Sequence, residues 1–196
     1  MIRICFATNN EHKLREVRAA IPSGIEIVSL EEIGCFEELP ETSDTLEGNS
    51  LQKANYVLGK FGIPCFADDT GLEVEALGGE PGVYSARYAG PQKKSEDNIR
   101  LLLSRLENES NRKARFRTVI TLVGTSAEPL FFEGVIEGNI IHYARGTGGF
   151  GYDPVFQPAG HSTTFSEMPL AEKNLLSHRG IAVQKISQHL LSSKLA

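Results

Sequence analysis

Residues 2–13 read IRICFATNNEHK, a run that predicts the start of an α/β fold. The apolar run at residues 2–7 is typical of a strand that is buried on both faces. Thr8-Asn9-Asn10 follows it with residues that cap helices, and apolar residues then recur at helical spacing up to Ile21. A strand that leads directly into a helix indicates a sheet flanked by helices.

Periodicity along the rest of the chain predicts further strands and helices, without an internal repeat or a linker. We predict strands at residues 25–30, 64–67, 72–77, 115–123 and 130–141. Helices are predicted at 45–61 and 95–106, capped by Thr45 and Ser95, and at 166–191 with a break at 177–180. Residues 144–154 predict a glycine-rich loop. These elements predict an α/β or α+β fold with a twisted sheet, formed by a single domain over residues 1–196.

The composition is that of an ordinary soluble globular protein. Of the 196 residues, 40% are hydrophobic and 23% are charged, which argues against a disordered chain. No apolar stretch approaches the roughly 20 residues that span a bilayer, and the N-terminus shows no signal-peptide pattern. The three cysteines form no CxxC pair, so we expect reduced thiols in a cytoplasmic protein that contacts no membrane.

The net charge of −5 is unevenly distributed along the chain. Residues 31–50 hold seven of the 25 acidic residues and no lysine or arginine, which leaves 18 acidic against 20 basic residues elsewhere. This balance argues against a nucleic-acid-binding protein, and the eight basic residues within 93–117 are typical of a solvated surface. An acidic stretch on a slightly basic body favours a metal ion bound beside an anionic small molecule.

The junction between the first strand and the first helix carries a candidate phosphate site, Thr8-x-Asn10-x-x-Lys13. A helix start presents unpaired backbone N–H groups, and Lys13 adds a positive charge one turn later. The glycine-rich GxxxxGK[ST] pattern of a P-loop is absent from the sequence. A capped helix that bears a solvated lysine explains the same residues, so both interpretations stay open at this point.

Ala67-Asp68-Asp69-Thr70-Gly71 places two carboxylates at the end of a predicted strand. Successive side chains of a strand point to opposite faces, so we expect only one of the two aspartates to face a given site. That residue would act as a metal ligand or a base, with Glu41 or Glu47 as a second carboxylate for a cation such as Mg²⁺. An Asp-Asp-Thr-Gly turn is the alternative interpretation.

Two further segments could recognise a nucleobase. Glycines within residues 147–154 let the backbone approach a ligand, and the rings of Phe150 and Tyr152 could stack on a flat ring or pack into the core. Lys173, with Ser177-His178-Arg179-Gly180, supplies donors that favour carbonyl oxygens over amino groups. Basic residues that stabilise a helix C-terminus are the alternative interpretation of this second segment.

Six segments of the sequence are far more specific together than any one of them alone. They are ATNNEHK at 7–13, EGNSLQKA at 47–54, ADDTGLEV at 67–74, LGGEPGVYSARYAG at 77–90, GTGGFGYDPVF at 146–156 and SHRG at 177–180. Together they resemble the inosine/xanthosine triphosphate pyrophosphatase family over nearly the whole chain. Among them, ADDTGL, GVYSARYAG and GGFGYDP are long enough that chance agreement of all three in order is implausible.

The resemblance implies an elongated, two-lobed α/β domain with a long twisted mixed sheet flanked by helices and an active-site cleft between the lobes. It implies that Asp69 is the catalytic base and that Asp69 and Glu41 bind the metal ion Mg²⁺. The resemblance also implies three groups of contacts with the substrate. The phosphate loop comprises Thr8, Asn9, Asn10, Glu11, His12 and Lys13, and Thr70 supplies a hydroxyl. The base-recognition group comprises Phe150, Gly151, Tyr152, Asp153, Lys173, His178 and Arg179.

The implied activity is Mg²⁺-dependent hydrolysis of ITP, dITP and XTP to the nucleoside monophosphate and pyrophosphate, by a cytoplasmic homodimer. Lys173 and Arg179 would meet the 6-oxo group of the base, and a 6-amino group would leave their donors unpaired. A non-catalytic purine nucleotide sensor is the alternative function, although a sensor has little need of a metal-and-base cluster. The roles of Ser85 and Arg87 stay open between a contact in the cleft and a contact within their own loop.

Overall fold

A seven-stranded mixed sheet organises residues 1–192, the part of the chain that this computed structural model describes. The strands are β1 (Ile2–Phe6), β2 (Ile25–Val28), β3 (Cys65–Val74), β4 (Pro81–Gly82), β5 (Lys113–Val123), β6 (Leu130–Ile140) and β7 (Phe156–Pro158). Their order is β2-β1-β3-β5-β6-β7, with β4 paired to β3. β1 is parallel to both of its neighbours, whereas β4 is antiparallel to β3 and β7 to β6. The predicted α/β fold with a mixed sheet is confirmed; residues 193–196 of the predicted domain lie outside the described residues.

Five α-helices accompany the sheet in the described residues. They are α1 (Glu11–Ala20), α2 (Leu46–Phe61), α3 (Ser95–Arg105), α4 (Leu170–Leu176) and α5 (His178–Ser192). The Thr45 hydroxyl accepts from the Gly48 amide at 3.0 Å and caps α2, as the sequence predicts. Ser95 does not cap α3, because it is already the first helical residue and Lys94 takes the cap position. Over residues 1–192, no helix combines the length and the apolar character that a membrane span requires.

The described chain divides into two compact units. Unit 1 comprises residues 1–69, 118–134 and the stretch that begins at 178, and unit 2 comprises residues 70–117 and 135–177. One hydrophobic cluster of unit 1 contains Phe6 stacked on Phe66, with ring centres 4.7 Å apart, packed among residues of α1 and α5. A second cluster of unit 1 contains the three cysteines, all of which are buried free thiols.

The core of unit 2 is built around three aromatic rings. The ring of Phe156 lies 4.7 Å from that of Phe116 and 5.2 Å from that of Phe165. Aliphatic residues of β3, α3 and β6 pack against these rings and are fully or almost fully buried. Each unit therefore has its own apolar core.

Strand β3 is longer than the sequence indicates. It runs without interruption from Cys65 to Val74, where the pattern predicts two short strands separated by a turn. The turn interpretation of residues 68–71 is therefore wrong. Gly71 permits β4 to approach β3 closely, because a Cβ at this position would lie 2.8 Å from the carbonyl oxygen of Gly82 on β4.

Candidate functional site

Unit 1 contains a row of four charged side chains, three of them buried and the fourth, Lys13, half-buried. Lys13 Nζ donates to Asp68 Oδ1 at 2.9 Å, and Arg179 Nε donates to Asp68 Oδ2 at 3.1 Å. Arg179 Nη1 donates in turn to Glu16 Oε2 at 2.5 Å. The side chains of Asp68, Arg179 and Glu16 are 5% exposed or less. Charges alternate in sign along the row, which offsets the cost of burying each of them.

The partners of Asp68 keep its carboxylate ionised. Burial alone would raise the pKa of Asp68, but the charges of Lys13 and Arg179 outweigh burial and lower it. The pKa of Lys13 is lowered by burial, whereas the pKa of Arg179 is raised despite burial by its two carboxylate partners. A carboxylate held in this way is a fixed anion and a poor acceptor of protons.

Asp69, the next residue of β3, meets different partners. Asn49 Nδ2 donates to Asp69 Oδ2 at 3.1 Å, and Lys53 Nζ lies 3.7 Å from Asp69 Oδ1. Lys53 Nζ also donates to Glu41 Oε1, so one ammonium serves two carboxylates. Burial raises the pKa of Asp69 despite the nearby lysines. A raised pKa makes this carboxylate a better base than an exposed aspartate.

The alternation of side chains along β3 explains why neighbouring aspartates have separate partners. Each of them meets its own lysine, Lys13 for Asp68 and Lys53 for Asp69. This arrangement agrees with the expectation that only one of the two faces a given site. Of the two glutamates considered as the second carboxylate, Glu41 is the one that shares a lysine with Asp69.

Glu41 and Asp69 could hold a hard divalent cation such as Mg²⁺. Magnesium sites at nucleotides combine one or two carboxylates with oxygens of the substrate phosphates. Among residues 1–192, no three His, Cys, Asp or Glu side chains form a metal-ligand set of their own. A pair of carboxylates already gathered around one cation therefore fits a metal ion that brings further ligands on another molecule.

In the phosphate loop, at the start of α1, backbone amides are already hydrogen-bonded to side chains of the same loop. Asn10 Oδ1 accepts from the amides of His12 and Lys13 at 2.9 and 3.1 Å, and Thr8 Oγ1 accepts from the Asn10 amide at 3.2 Å. Side chains of the loop therefore cap the amides that were expected to be open to a phosphate. Glu11 and His12 are exposed on the first turn of the helix.

Asn9 contacts residues 31–50, the acidic segment. Its Nδ2 donates to the Glu37 carbonyl oxygen at 3.1 Å, and its Oδ1 accepts from the Leu39 amide at 3.1 Å. Both polar atoms of the Asn9 side chain thus hold the segment that carries Glu41. Asn9, a predicted substrate contact, thus joins the phosphate loop to the acidic segment.

In unit 2, Phe150, Asp153 and Lys173 come together. Lys173 Nζ donates to Asp153 Oδ2 at 2.5 Å, and both side chains are 4% exposed or less. Asp153 Oδ2 also accepts from the Phe150 amide at 2.8 Å. Lys173 Nζ lies 5.2 Å from the centre of the Phe150 ring. An aromatic face beside a buried cation suits a flat ring that carries a carbonyl oxygen.

Tyr152, a further predicted substrate contact, is bound to the loop that carries Ser85. It is 3% exposed within the core of unit 2, and its hydroxyl donates to the Ser85 carbonyl oxygen at 2.9 Å. Ser85 is likewise structural, since its hydroxyl accepts from the Leu72 amide at 2.8 Å and donates to the Gly82 carbonyl oxygen at 2.6 Å. The Arg87 guanidinium lies over the Tyr84 ring of the same loop. Two other predicted contacts, Thr70 in β3 and Gly151 in the glycine-rich loop, are half-buried in unit 2.

His178 and Arg179 begin α5 and belong to unit 1, whereas Lys173 lies on α4 in unit 2. The sequence predicts that Lys173 and Arg179 meet the same group of the base. In the structure, two of the guanidinium nitrogens of Arg179 are bound to the carboxylates of Asp68 and Glu16. Arg179 is therefore paired with Asp68 of β3 and with Glu16 of α1.

The start of α5 packs closely against β6 at Gly134. A Cβ added to Gly134 would overlap the carbonyl oxygen of His178 and lie 2.8 Å from the amide nitrogen of Ala182. Only a residue without a side chain allows this approach. The contact fixes the end of α5 from which Arg179 extends.

Three side chains of these clusters were not among the predicted site residues: Glu16, Asn49 and Lys53. All three are 5% exposed or less, and each lies on an amphipathic helix. Asn49 and Lys53 lie within the quoted motif EGNSLQKA at 47–54, whereas the signal for Glu16 is a charged residue placed beside the apolar stripe of its helix. That signal is weak, because a helix surface gives the same spacing.

Comparison with known proteins identifies the family of this chain. The model of the Ham1 family matches residues 4–189. The chain is 54% identical to the dITP/XTP pyrophosphatase of Porphyromonas gingivalis and 52% identical to that of Flavobacterium johnsoniae, over 99% and 98% of this chain and 100% of each relative. A solved HAM1 protein from Coxiella burnetii matches with a TM-score of 0.89 at 36% identity, over 98% of this chain and 100% of that one. The family resemblance of the motifs is thus confirmed, and the chain belongs to the Ham1 family.

Proposed function

We propose that this protein hydrolyses ITP, dITP and XTP to the nucleoside monophosphate and pyrophosphate in a Mg²⁺-dependent reaction. Its relatives are named dITP/XTP pyrophosphatases, and the chain is a nucleoside triphosphate pyrophosphatase, a hydrolase of phosphoric anhydride bonds. The observation that carries the finer proposal is the contrast between the two aspartates of β3. Asp68 is paired with Lys13 and Arg179, whereas Asp69 lies beside a second carboxylate, Glu41, around the ammonium of Lys53.

Asp69 is the proposed general base. The Asn49 amide donates to Oδ2 and fixes the orientation of the carboxylate that would accept the proton of the attacking water. A positioned base contributes about 10²- to 10⁴-fold to a rate. Asp68 does not suit this role, because its two oxygens already accept from Lys13 and Arg179.

Glu41 and Asp69 are the residues that would hold Mg²⁺. The chemistry that the bound ion supplies is neutralisation of the charge on the triphosphate oxygens. Lys53, between these two carboxylates, and Lys13, paired with the neighbouring Asp68, add two positive charges with which a triphosphate can pair. Asp68 keeps the Lys13 ammonium in position for that contact.

Phe150, Asp153 and Lys173 form the proposed base-recognition group. The ring of Phe150 would stack on the purine, while the ammonium of Lys173, fixed by Asp153, donates to the 6-oxo group. The 6-amino group of adenine is itself a hydrogen-bond donor, so it could not accept from the ammonium of Lys173. Such a mismatch rejects a substrate by as much as roughly 10⁴-fold in well-built sites.

A substrate panel tests the proposed function. Pyrophosphate release is measured for ITP, XTP, GTP and ATP, with and without Mg²⁺, and we expect rapid release from ITP and XTP with the metal ion only. Asp69→Asn should still bind ITP but lose at least about 100-fold in turnover. Asp97→Asn, which alters an exposed pair with Arg100, is the matched control and should be unaffected. Nucleotide binding by the wild type without pyrophosphate release would instead support a sensor.

We also propose that the protein is a cytoplasmic homodimer, as the family resemblance implies. The free thiols of unit 1 agree with a reducing compartment. Light scattering after size-exclusion chromatography tests the dimer, because the mass should be twice the 21.4 kDa of one chain. A mass of one chain at micromolar concentration would refute it.

A further inference from the structure

Lys53 lies against both of the carboxylates that the proposed function gives to the metal ion. Its Nζ donates to Glu41 Oε1 and lies 3.7 Å from Asp69 Oδ1. The lysine side chain is 6% exposed, and those of Glu41 and Asp69 are 32% and 12% exposed. A single ammonium is thus enclosed by the two acidic side chains, at the oxygens that would coordinate the ion.

Two neighbouring carboxylates, of which Asp69 is the more buried, repel each other unless a cation accompanies them. In the protein alone, Lys53 supplies that cation. A divalent ion that binds the same oxygens must either displace the ammonium or bear its repulsion at short range. Lysine can be displaced, because its ammonium is a point charge on a flexible chain of four carbons.

We propose that Lys53 occupies the cation position of the Glu41–Asp69 pair in the nucleotide-free protein, so that free Mg²⁺ binds weakly and binds well only together with a triphosphate. The proposal rests on the proposed function, which assigns the metal ion to these two residues. A triphosphate offers the displaced ammonium new anionic partners, which makes metal and nucleotide binding mutually favourable. Lys53 would therefore couple the binding of Mg²⁺ to that of the triphosphate, in addition to contacting the triphosphate.

Titration of the nucleotide-free protein with Mn²⁺, followed by electron paramagnetic resonance of the free ion, tests the proposal. Lys53→Met removes the charge and keeps a side chain of similar length. We expect this variant to bind Mn²⁺ about tenfold or more tightly than the wild type, because an ammonium no longer competes for the two carboxylates. Adding Glu41→Gln to Lys53→Met should remove the gain.

Lys60→Met is the matched control. Lys60 lies on the same helix, pairs with Glu37 of the same acidic segment and is 51% exposed. Its replacement changes the net charge equally, so Lys60→Met should leave the Mn²⁺ affinity close to that of the wild type. An equal gain in both variants would mean that net charge or a loosened segment is responsible, and would overturn the proposal.

Two further results would overturn it. One is an Mn²⁺ affinity of Lys53→Met, or of Lys53→Gln if the methionine variant does not fold, that is equal to or lower than that of the wild type. The other needs no variant: micromolar affinity of the wild-type protein for free Mn²⁺. Failure of the proposed function is a separate result, because it would be seen as absent pyrophosphate release from ITP whatever the metal affinity.

Discussion

Replacing Arg179 with methionine tests how strongly the buried charges of unit 1 stabilise the fold. Arg179 donates to Glu16 at 2.5 Å and to Asp68 at 3.1 Å, and the three side chains are 5% exposed or less. Methionine keeps much of the length but removes the positive charge from two buried carboxylates. The variant therefore changes the electrostatics of the site more than its packing.

Removal of one partner from a buried ion pair costs about 3–5 kcal/mol, because the other charge stays buried. Arg179 serves two carboxylates, so we expect Arg179→Met to lower the free energy of unfolding by at least about 3 kcal/mol. In a chain of this size each kcal/mol corresponds to about 2–4 °C, so Tm should fall by about 10 °C. Urea denaturation at pH 7 and a thermal scan measure the two quantities.

Arg18→Met is the control for this experiment. Arg18 donates to Glu32 at 2.6 Å, but both side chains are almost half exposed, and pairs of this kind contribute about 0–1 kcal/mol. Equal losses of stability in the two variants would refute the argument that burial sets the magnitude. Adding Glu16→Gln to Arg179→Met should restore part of the loss, since one buried charge is then removed.

The same network makes stability depend on pH. The pKa of Asp68 is lower in the folded protein than its ordinary value, so its ionisation stabilises the fold at higher pH. This stabilisation is lost as the pH falls through the folded pKa. We expect the free energy of unfolding to decrease below about pH 4. The decrease should be smaller in Arg179→Met, where one cation that lowers the pKa is absent; an equal decrease would contradict this account.

Three further predictions concern other parts of the molecule. Lys173→Ala should raise KM for ITP several-fold more than it changes residual ATP cleavage, and equal effects in a steady-state comparison would show that Lys173 does not read the base. The three cysteines should resist Ellman's reagent in the native protein at pH 8, because burial raises the pKa of Cys5 and Cys65 to about 12; rapid labelling before unfolding would contradict this. Asn9→Ala frees the segment that carries Glu41, so it should raise the Mg²⁺ concentration for half-maximal activity with little change in Tm. An unchanged Mg²⁺ requirement would show that this contact does not position Glu41.

Features set by neighbouring residues could be predicted from the sequence. Asn10 and Thr45 cap their helices because a cap depends on a side chain and on amides two or three residues later. The alternation of Asp68 and Asp69 was predictable for the same reason, since it follows from the geometry of any strand. The motifs of the phosphate loop and of the glycine-rich loop also indicated the right family.

Features set by distant residues could not be predicted. The pattern ends the strand at Asp68, because consecutive acids before Thr-Gly are typical of turns. In the structure the strand continues, since Lys13 and Arg179, which are 55 and 111 residues away in sequence, compensate the buried charge. Glu16 meets Arg179 across 163 residues, and no local spacing reports such a pairing.

Gly134 shows how a residue without a side chain can influence a charged site. Any larger residue at this position would push the first turn of α5 away from β6, and Arg179 would move with that turn. In a saturation-mutagenesis screen scored on activity, Gly134 would therefore rank with the acidic residues of β3, although it donates no proton and binds no ion. Loss of activity on substitution of Gly134 would therefore reflect a steric clash with the backbone of α5, and it would not mean that Gly134 takes part in the reaction.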